Sequence, residues 1–259
     1  MSERKIIKIE DTRQVESLFR HTTDTVILSC LQKVMGEIYA TDDLQSAMAI
    51  LGDFCFYVGI PSRELIFFGR NLCTMDSLVM VPENEEWGRE IEQCLGSGAE
   101  RITRYAIKKE GIQVFDRKKL EEAVKKLPDG EGYELRLIDQ TLYEQIWKTD
   151  WCREWVENYP SYELFEKAGM GAVILKDGEP IAGASSFSGY LQGIEITIRT
   201  KEEYRRQGLA HTCAARLILE CMNKGLYPSW DAANLKSVSL SEKLGYHFDK
   251  EYVAYRVKL

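Results

Sequence analysis

Histidine is scarce in this 259-residue chain, with three in all, and none of its seven cysteines forms a Cys-x-x-Cys pair. Structural zinc sites draw on those two residue types at close spacing, so no metal centre is expected. The cysteines (30, 55, 73, 94, 152, 213 and 221) are odd in number and scattered, six of them in apolar or mixed surroundings. They read as free buried thiols and not as a disulfide framework. No run reaches the ~18 apolar residues of a membrane span, and the longest apolar region, SAMAILGDFCFYVGI, is broken by Asp53. The opening segment MSERKIIKIEDTRQ has no apolar stretch of signal-peptide length. Positive charge is also lacking: 34 Lys and Arg stand against 41 Asp and Glu, a net −7, which is a poor footprint for a nucleic-acid binder. Neither Gly-Lys-[Ser/Thr] nor Gly-x-Gly-x-x-Gly occurs, which disfavours the common nucleotide-binding loops. These absences predict a reduced, cytoplasmic, soluble protein with no membrane partner and no nucleic-acid partner.

The chain is long enough for one large domain or two modest ones. Its clearest break is KKLPDGEGYELRLI, where Pro128, Asp129, Gly130, Glu131 and Gly132 stack turn formers between a charged helix and a new strand. The expected domains are 1–128 and 133–259. In the first, the pattern predicts helices over 11–20, 24–34, 84–95 and 116–127, and strands over 37–41, 46–51, 53–59, 64–69, 76–81 and 101–108. In the second it predicts a strand at 133–138, an aromatic-rich helix over 140–158 and a hairpin turning at Asp177-Gly178. A strand over 193–199 follows, with Ile194, Ile196 and Ile198 on one face and Glu195, Thr197 and Arg199 on the other. Then come a helix over 207–224 stopped by Gly225, a strand YPSW, a helix over 235–244 stopped by Gly245, and a last strand over 246–257. An internal echo sets 35–49 over 170–184 at an offset of 135 residues, with Met, Gly, Asp and Ala identities, as either a duplication or a chance likeness of two hairpins would leave. At that offset RNLCTM stands opposite residues 205–210, without a glycine.

The stretch RRQGLA at 205–210 puts two arginines and a glycine at a helix start. A helix N-terminus offers unpaired N–H groups and about half a positive charge. Glycine lets the backbone approach a ligand, and arginines add donors for phosphate oxygens. Leu209, Cys213, Leu217 and Cys221 recur every four residues, with Ala210, Ala214, Ile218 and Met222 beside them. That broad apolar face must pack on a sheet, which fixes the loop against the strand before it.

The series strand, Arg205-x-x-Gly208-x-Ala210, helix, strand, then Asn234-x-x-Ser237 and a helix ending Lys243-Leu244-Gly245-Tyr246, resembles the acetyl-CoA core of the GNAT superfamily of N-acyltransferases. The resemblance covers 133–259, and the whole chain is similar to a two-part subgroup that includes zwittermicin-resistance-type acetyltransferases. It implies a mixed α/β fold, with a GNAT acyltransferase domain in the second half and a smaller, degenerate GNAT-like α/β domain before it. It also implies an acetyl-CoA-dependent N-acetyltransferase acting on a small-molecule amine. By position, the diphosphate loop maps to Arg205, Arg206, Gln207, Gly208, Leu209 and Ala210. The strand that pairs with pantetheine and polarises the thioester maps to Thr197, Ile198 and Arg199, and contacts to the pantetheine arm map to Asn234 and Ser237. Glu195 is the family-like general base. The family's thiolate-protonating tyrosine is replaced by Ser241, a shorter group and a weaker acid. That departure keeps a second function open, a non-catalytic acyl-CoA-binding module.

Plainer readings stand beside these. Asn234 serves as an N-cap, a pantetheine contact or both. Glu195 is a base or a cross-strand partner, and Asp231 is a capping group or orients a substrate amine. His211 and Cys213, two apart on a helix, do not face each other, which argues against a thiol mechanism. Trp147, Trp151 and Trp155, four apart, read as one core-facing helical stripe.

Overall fold

The computed structural model describes residues 4–20, 22–127 and 132–259. The turn expected at Pro128–Glu131 lies outside the described residues. The chain forms two compact units, Met1–Arg104 with Glu251–Leu259, and Tyr105–Lys250. These limits differ from 1–128 and 133–259 by two segments, 105–128 and 251–259.

In the first unit, strands β1 (Ile6–Lys8), β2 (Glu37–Thr41), β3 (Ser46–Leu51), β4 (Phe54–Gly59) and β5 (Ser77–Pro82) lie in that order. All neighbours are antiparallel except β4 and β5, which are parallel. The last strand of the chain, Phe248–Lys258, adds antiparallel to β5, with Tyr255 opposite Met80. Helices α1 (Thr25–Leu31), α2 (Arg63–Leu72) and α3 (Glu85–Leu95) connect or cover the strands, and β6 (Ala99–Ile107) follows them. Met48, Tyr57, Leu65, Ile66, Met80, Trp87 and Ile91 pack into one core.

Two expectations fail here. Residues 64–69 are helical, not a strand: Ser62 caps α2 by accepting from Leu65 N, and Leu65, Ile66 and Gly69 fall on one helical face. A short apolar run carries no clear period, and the cap was the deciding signal. Gly69 is needed there, since a Cβ would sit 2.6 Å from the Tyr57 hydroxyl. Residues 11–20 form two short 3-10 turns, Thr12–Gln14 and Glu16–Phe19. The Asp11 carboxylate takes both the Arg13 amide and its guanidinium, a local bond that competes with a continuous helix.

The second unit begins with α4 (Arg117–Val124) and β7 (Tyr133–Leu137), then α5 (Gln140–Trp147) and α6 (Tyr162–Ala168). It continues with β8 (Gly171–Lys176), β9 (Glu179–Tyr190), β10 (Gly193–Thr200), α7 (Leu209–Lys224), β11 (Tyr227–Ser229), β12 (Asp231–Ala232) and α8 (Leu235–Lys243), before β13 (Phe248–Lys258). The sheet order is β7-β8-β9-β10-β11, again antiparallel except for the final pair. The short β12 pairs with the end of β6, Ala232 opposite Tyr105. Both units therefore follow one path, with a helix (α2 or α7) linking the single parallel pair.

The sequence echo is topological more than residue-exact. Glu37 faces Ile50 in β2–β3, so the offset of 135 would pair Ala172 with Ser185, yet Ala172 faces Ala184. Strands β9 and β10 have twelve and eight residues against six each in β3 and β4. The counterpart of the loop before α7 is thus the turn Ile60–Ser62 before α2. RNLCTM lies at the end of α2 and beyond it.

The stripe Leu209, Cys213, Leu217, Cys221 is buried as expected. Thr212, Ala215 and Leu219 are buried as well, because α4 lies along the other side, where the Thr212 hydroxyl donates to Ala123 O at 3.2 Å. The tryptophans do not share a helix face. α5 ends at Trp147, where Thr149 Oγ1 donates to Gln145 O and Arg153 Nε donates to Trp147 O, both at 2.8 Å. Trp147 is exposed, while Trp155 is fully buried against Gly183, whose missing side chain makes room for the indole.

Candidate active site

Strands β10 and β11 pair at Gly193–Tyr227, Ile194–Pro228 and Glu195–Ser229, and then part. β10 runs on to Thr200, bent by a bulge between Glu195 and Ile196, while the chain after Ser229 pairs instead with β6. Among the described residues, no strand therefore lies on the β11 side of the segment holding Thr197, Ile198 and Arg199. In the first unit the corresponding fork is closed. Glu83 N donates to Tyr57 O at 3.0 Å, the Glu83 carboxylate accepts Gly59 N at 2.9 Å, and Trp87 Nε1 donates to Gly59 O at 2.8 Å.

The helices beside the two forks differ in the same sense. α2 is capped by its own Ser62 and carries Glu64 in its first turn. α7 is sixteen residues long, follows Gly208 as its N-cap, has no side-chain cap and has no acid in its first turn. Both Arg206 (φ +64°) and Gly208 (φ +82°) are left-handed. For arginine that conformation costs about 1–2 kcal/mol, the kind of strain retained where a backbone must present its amides. A Cβ on Gly208 would have open space around it, so the loop is accessible. Arg206, Gln207 and Gly208 are exposed, Leu209 is buried as the first core residue of α7, and Ala210 is half-buried. Arg205 turns back instead, its Nε donating to Thr200 O at 3.3 Å and its guanidinium 3.7 Å from Glu202.

Glu195 sits on the sheet face opposite Ile194, since successive residues of a strand alternate. Register puts Ser188 and Ser229 directly beside it on the flanking strands, and Tyr190 and Tyr227 beside Gly193 in the next row. The Ser188 and Ser229 hydroxyls are buried with no hydrogen-bond partner among the described residues, and Glu195 Oε1 is shielded from solvent. Buried unsatisfied hydroxyls flanking a carboxylate are a polar row ready to receive a ligand group. The alternation of β10 singles out Glu195 but not Ser188 and Ser229 beside it. The two-residue link between Tyr190 and Gly193 was the available signal, because it sets Ser188 across from Glu195.

Asn234 is the N-cap of α8, accepting Ser237 N at 3.0 Å. The Ser237 hydroxyl accepts Trp230 Nε1 at 3.0 Å, which ties α8 to the strand before it. Ser241 is fully buried and its hydroxyl donates to Val238 O at 2.8 Å, within its own helix. Standing where the family's proton-donating tyrosine would be, Ser241 is shielded from solvent and its proton is already given to its own helix, which does not suit a thiolate donor. Arg199 extends its guanidinium to the Glu154 carboxylate at 2.8 Å, so only its backbone remains at the fork. Asp231 lies in β12 opposite Ala106 and not in a turn. Burial pushes the Cys213 thiol up to about 12, which removes it as a nucleophile. Among the described residues, no group of three or more His, Cys, Asp or Glu is arranged to hold a metal, and no helix is long and apolar enough to cross a membrane.

The profile of a GNAT acetyltransferase family matches residues 16–255. A GCN5-related N-acetyltransferase-like protein from Streptococcus suis 89/1591 is 43% identical, with a TM-score of 0.89 over 96% of this chain and 99% of that one. The uncharacterized N-acetyltransferase YdfB of Bacillus subtilis (strain 168) is 34% identical over 128 residues, and the match spans about half of each protein, 48% of both. A tandem GNAT protein from the clavulanic acid biosynthesis pathway shares the fold at 10% identity, with a TM-score of 0.56 over 99% of this chain.

Proposed function

The chain belongs to the GNAT acetyltransferase family, and from that premise we propose that its second unit transfers an acetyl group from acetyl-CoA to the primary amine of a small molecule. The observation that carries the reading is the open fork between β10 and β11 beside an uncapped, arginine-flanked helix start. Both features are closed off in the first unit, which we read as a degenerate repeat without a cofactor slot.

Acetyl-CoA supplies the activated acetyl group as a thioester. The amides of Arg206 to Ala210 and the Arg206 guanidinium hold the diphosphate, where helix dipole and charge act together. The backbone groups of Thr197, Ile198 and Arg199 on the side away from β9 hydrogen-bond the pantetheine arm and polarise the thioester carbonyl. Asn234 keeps its amide nitrogen for the same arm while its oxygen caps α8, and Ser237 acts through Trp230 by fixing that corner. Glu195 takes a proton from the acceptor ammonium, and the Ser188 and Ser229 hydroxyls orient the amine in front of it. With Ser241 held by its own helix, water supplies the proton to the leaving thiolate.

That buried serine is also the observation favouring a second reading, a CoA-binding module without turnover. Calorimetry with acetyl-CoA, CoA and ATP, followed by a thiol-release screen over amines, separates the possibilities. Binding of acetyl-CoA with amine-dependent thiol release supports the transferase, and binding without release supports the module. Binding of ATP but not acetyl-CoA contradicts both. The resemblance to zwittermicin-resistance-type enzymes makes amine-bearing antibiotics the first acceptors to screen.

A further inference from the structure

The loop after β6 lays one lysine across the face that carries Glu195. Four contacts flank it: Lys108 N donates to His247 O at 2.9 Å, Glu110 N donates to the Tyr227 hydroxyl at 3.0 Å, that hydroxyl donates to Lys108 O at 3.3 Å, and the Glu110 carboxylate lies 2.7 Å from His247 Nδ1. Lys109, between these anchors, places its ammonium 4.3 Å from the centre of the Tyr190 ring. Tyr190 stands opposite Gly193, two residues along β10 from Glu195 and on the same face, a step of about 7 Å. Tyr227 pairs with Gly193 from the other side, and a Cβ at Gly193 would meet the Tyr190 ring at 3.0 Å and collide with Tyr227 O, so glycine there lets the Tyr190 ring lie close over β10. A primary amine is thus held over an aromatic face one strand step from the proposed base. The Tyr190 ring attracts cations in general, and Lys109 already supplies one.

We propose that Lys109 is an intramolecular acetyl acceptor, so that this protein acetylates itself at that residue. The inference rests on the transferase reading of the same site. Lys109 first gives a proton from its ammonium to Glu195, directly or through water. The neutral Nζ then attacks the thioester carbonyl carbon; the C–N bond forms, the nitrogen gives up its second proton to water, the C–S bond breaks, the CoA thiolate takes a proton from water, and Glu195 returns its own proton to solvent. The net products are acetyl-lysine, CoA and one proton. Acetylation removes the positive charge, and with it the attraction to Tyr190, leaving the ring face free for an external amine.

The test incubates the full chain with acetyl-CoA and no acceptor, measures cofactor binding by calorimetry on the same sample, and maps acetyl groups by peptide mass spectrometry. The expected result is one dominant acetyl group at Lys109, formed at a rate independent of protein concentration. Lys109→Arg should abolish it, and Glu195→Gln should slow it by about 100-fold while leaving cofactor affinity in place. Cofactor binding with Lys109 unmodified would overturn the inference and leave the transferase reading standing. So would labelling that scales with protein concentration or proceeds equally in Glu195→Gln. No cofactor binding at all would overturn both.

Discussion

Replacing Gly208 separates backbone strain from charge at the proposed diphosphate site. Gly208 is left-handed at φ +82° and has open space where a Cβ would go. Gly208→Ala therefore meets no clash, but it forces an L-residue into that region at a cost of about 1–2 kcal/mol. For a chain of this size the melting temperature should fall by about 2–4 °C per kcal/mol. Gly208→Asp behaves differently in the free protein. Aspartate tolerates the left-handed region better than alanine, and its carboxylate at the uncapped start of α7 should return about 0.3–1 kcal/mol through the helix dipole. The aspartate variant should thus melt no lower than the alanine variant. With cofactor the order reverses, since a carboxylate about 4 Å from a diphosphate oxygen costs on the order of 4 kcal/mol at an effective dielectric of about 20. Even after screening, acetyl-CoA affinity should drop by more than about 100-fold relative to Gly208→Ala. Thermal melts and calorimetry on the pair supply both numbers. Equal acetyl-CoA affinity in the two variants would refute the reasoning.

Other expectations follow from the same geometry. Glu195→Gln should lower the acetyl-transfer rate by about 100-fold or more with acetyl-CoA affinity retained, read by thiol release and calorimetry. Ser241→Ala should leave turnover within about two-fold, and stability within about 1 kcal/mol, because its hydroxyl serves only Val238 O; a large rate loss would return it to the reaction. Burial, reinforced by the Lys126 and Lys243 ammoniums, holds the His211 imidazole below its ordinary 6.5. The unfolded chain then binds that proton more tightly, so stability should fall as pH drops through about 6.5, and His211→Gln should lack that part of the loss in melts between about pH 8 and pH 5.5. Burial pushes Cys30, Cys55 and Cys221 up to about 12, so native thiol titration at pH 8 should label the half-exposed Cys73 and Cys94 first.

Features set by local chemistry were legible in the sequence. Asp177 and Gly178 both take positive φ, as the hairpin signal requires, and Gly225 ends α7 at φ +68°. The alternation of β10 named Glu195, and the stripe from Leu209 to Cys221 predicted the sheet-packed helix that fixes the loop. Features set by distant partners were not legible. Periodicity alone could not say that 64–69 would follow the Ser62 cap, or that α5 would stop where Arg153 reaches Trp147 O. The pairing of the last strand with β5 joins residues 175 positions apart (Tyr255 with Met80), and no local pattern encodes that. The extra length of β9 and β10 misaligned the echo at the loop that matters most, so the contrast between α2 and α7 emerged only from the structure.

Amide hydrogen exchange with and without acetyl-CoA tests the central claim most directly. Protection should rise at Thr197–Arg199 and Arg206–His211, the open edge of β10 and the uncapped start of α7, while the turn and helix start at Gly59–Ile66 stay unchanged. Protection at Gly59–Ile66, or none at Arg206–His211, would contradict a cofactor site built on the second unit alone.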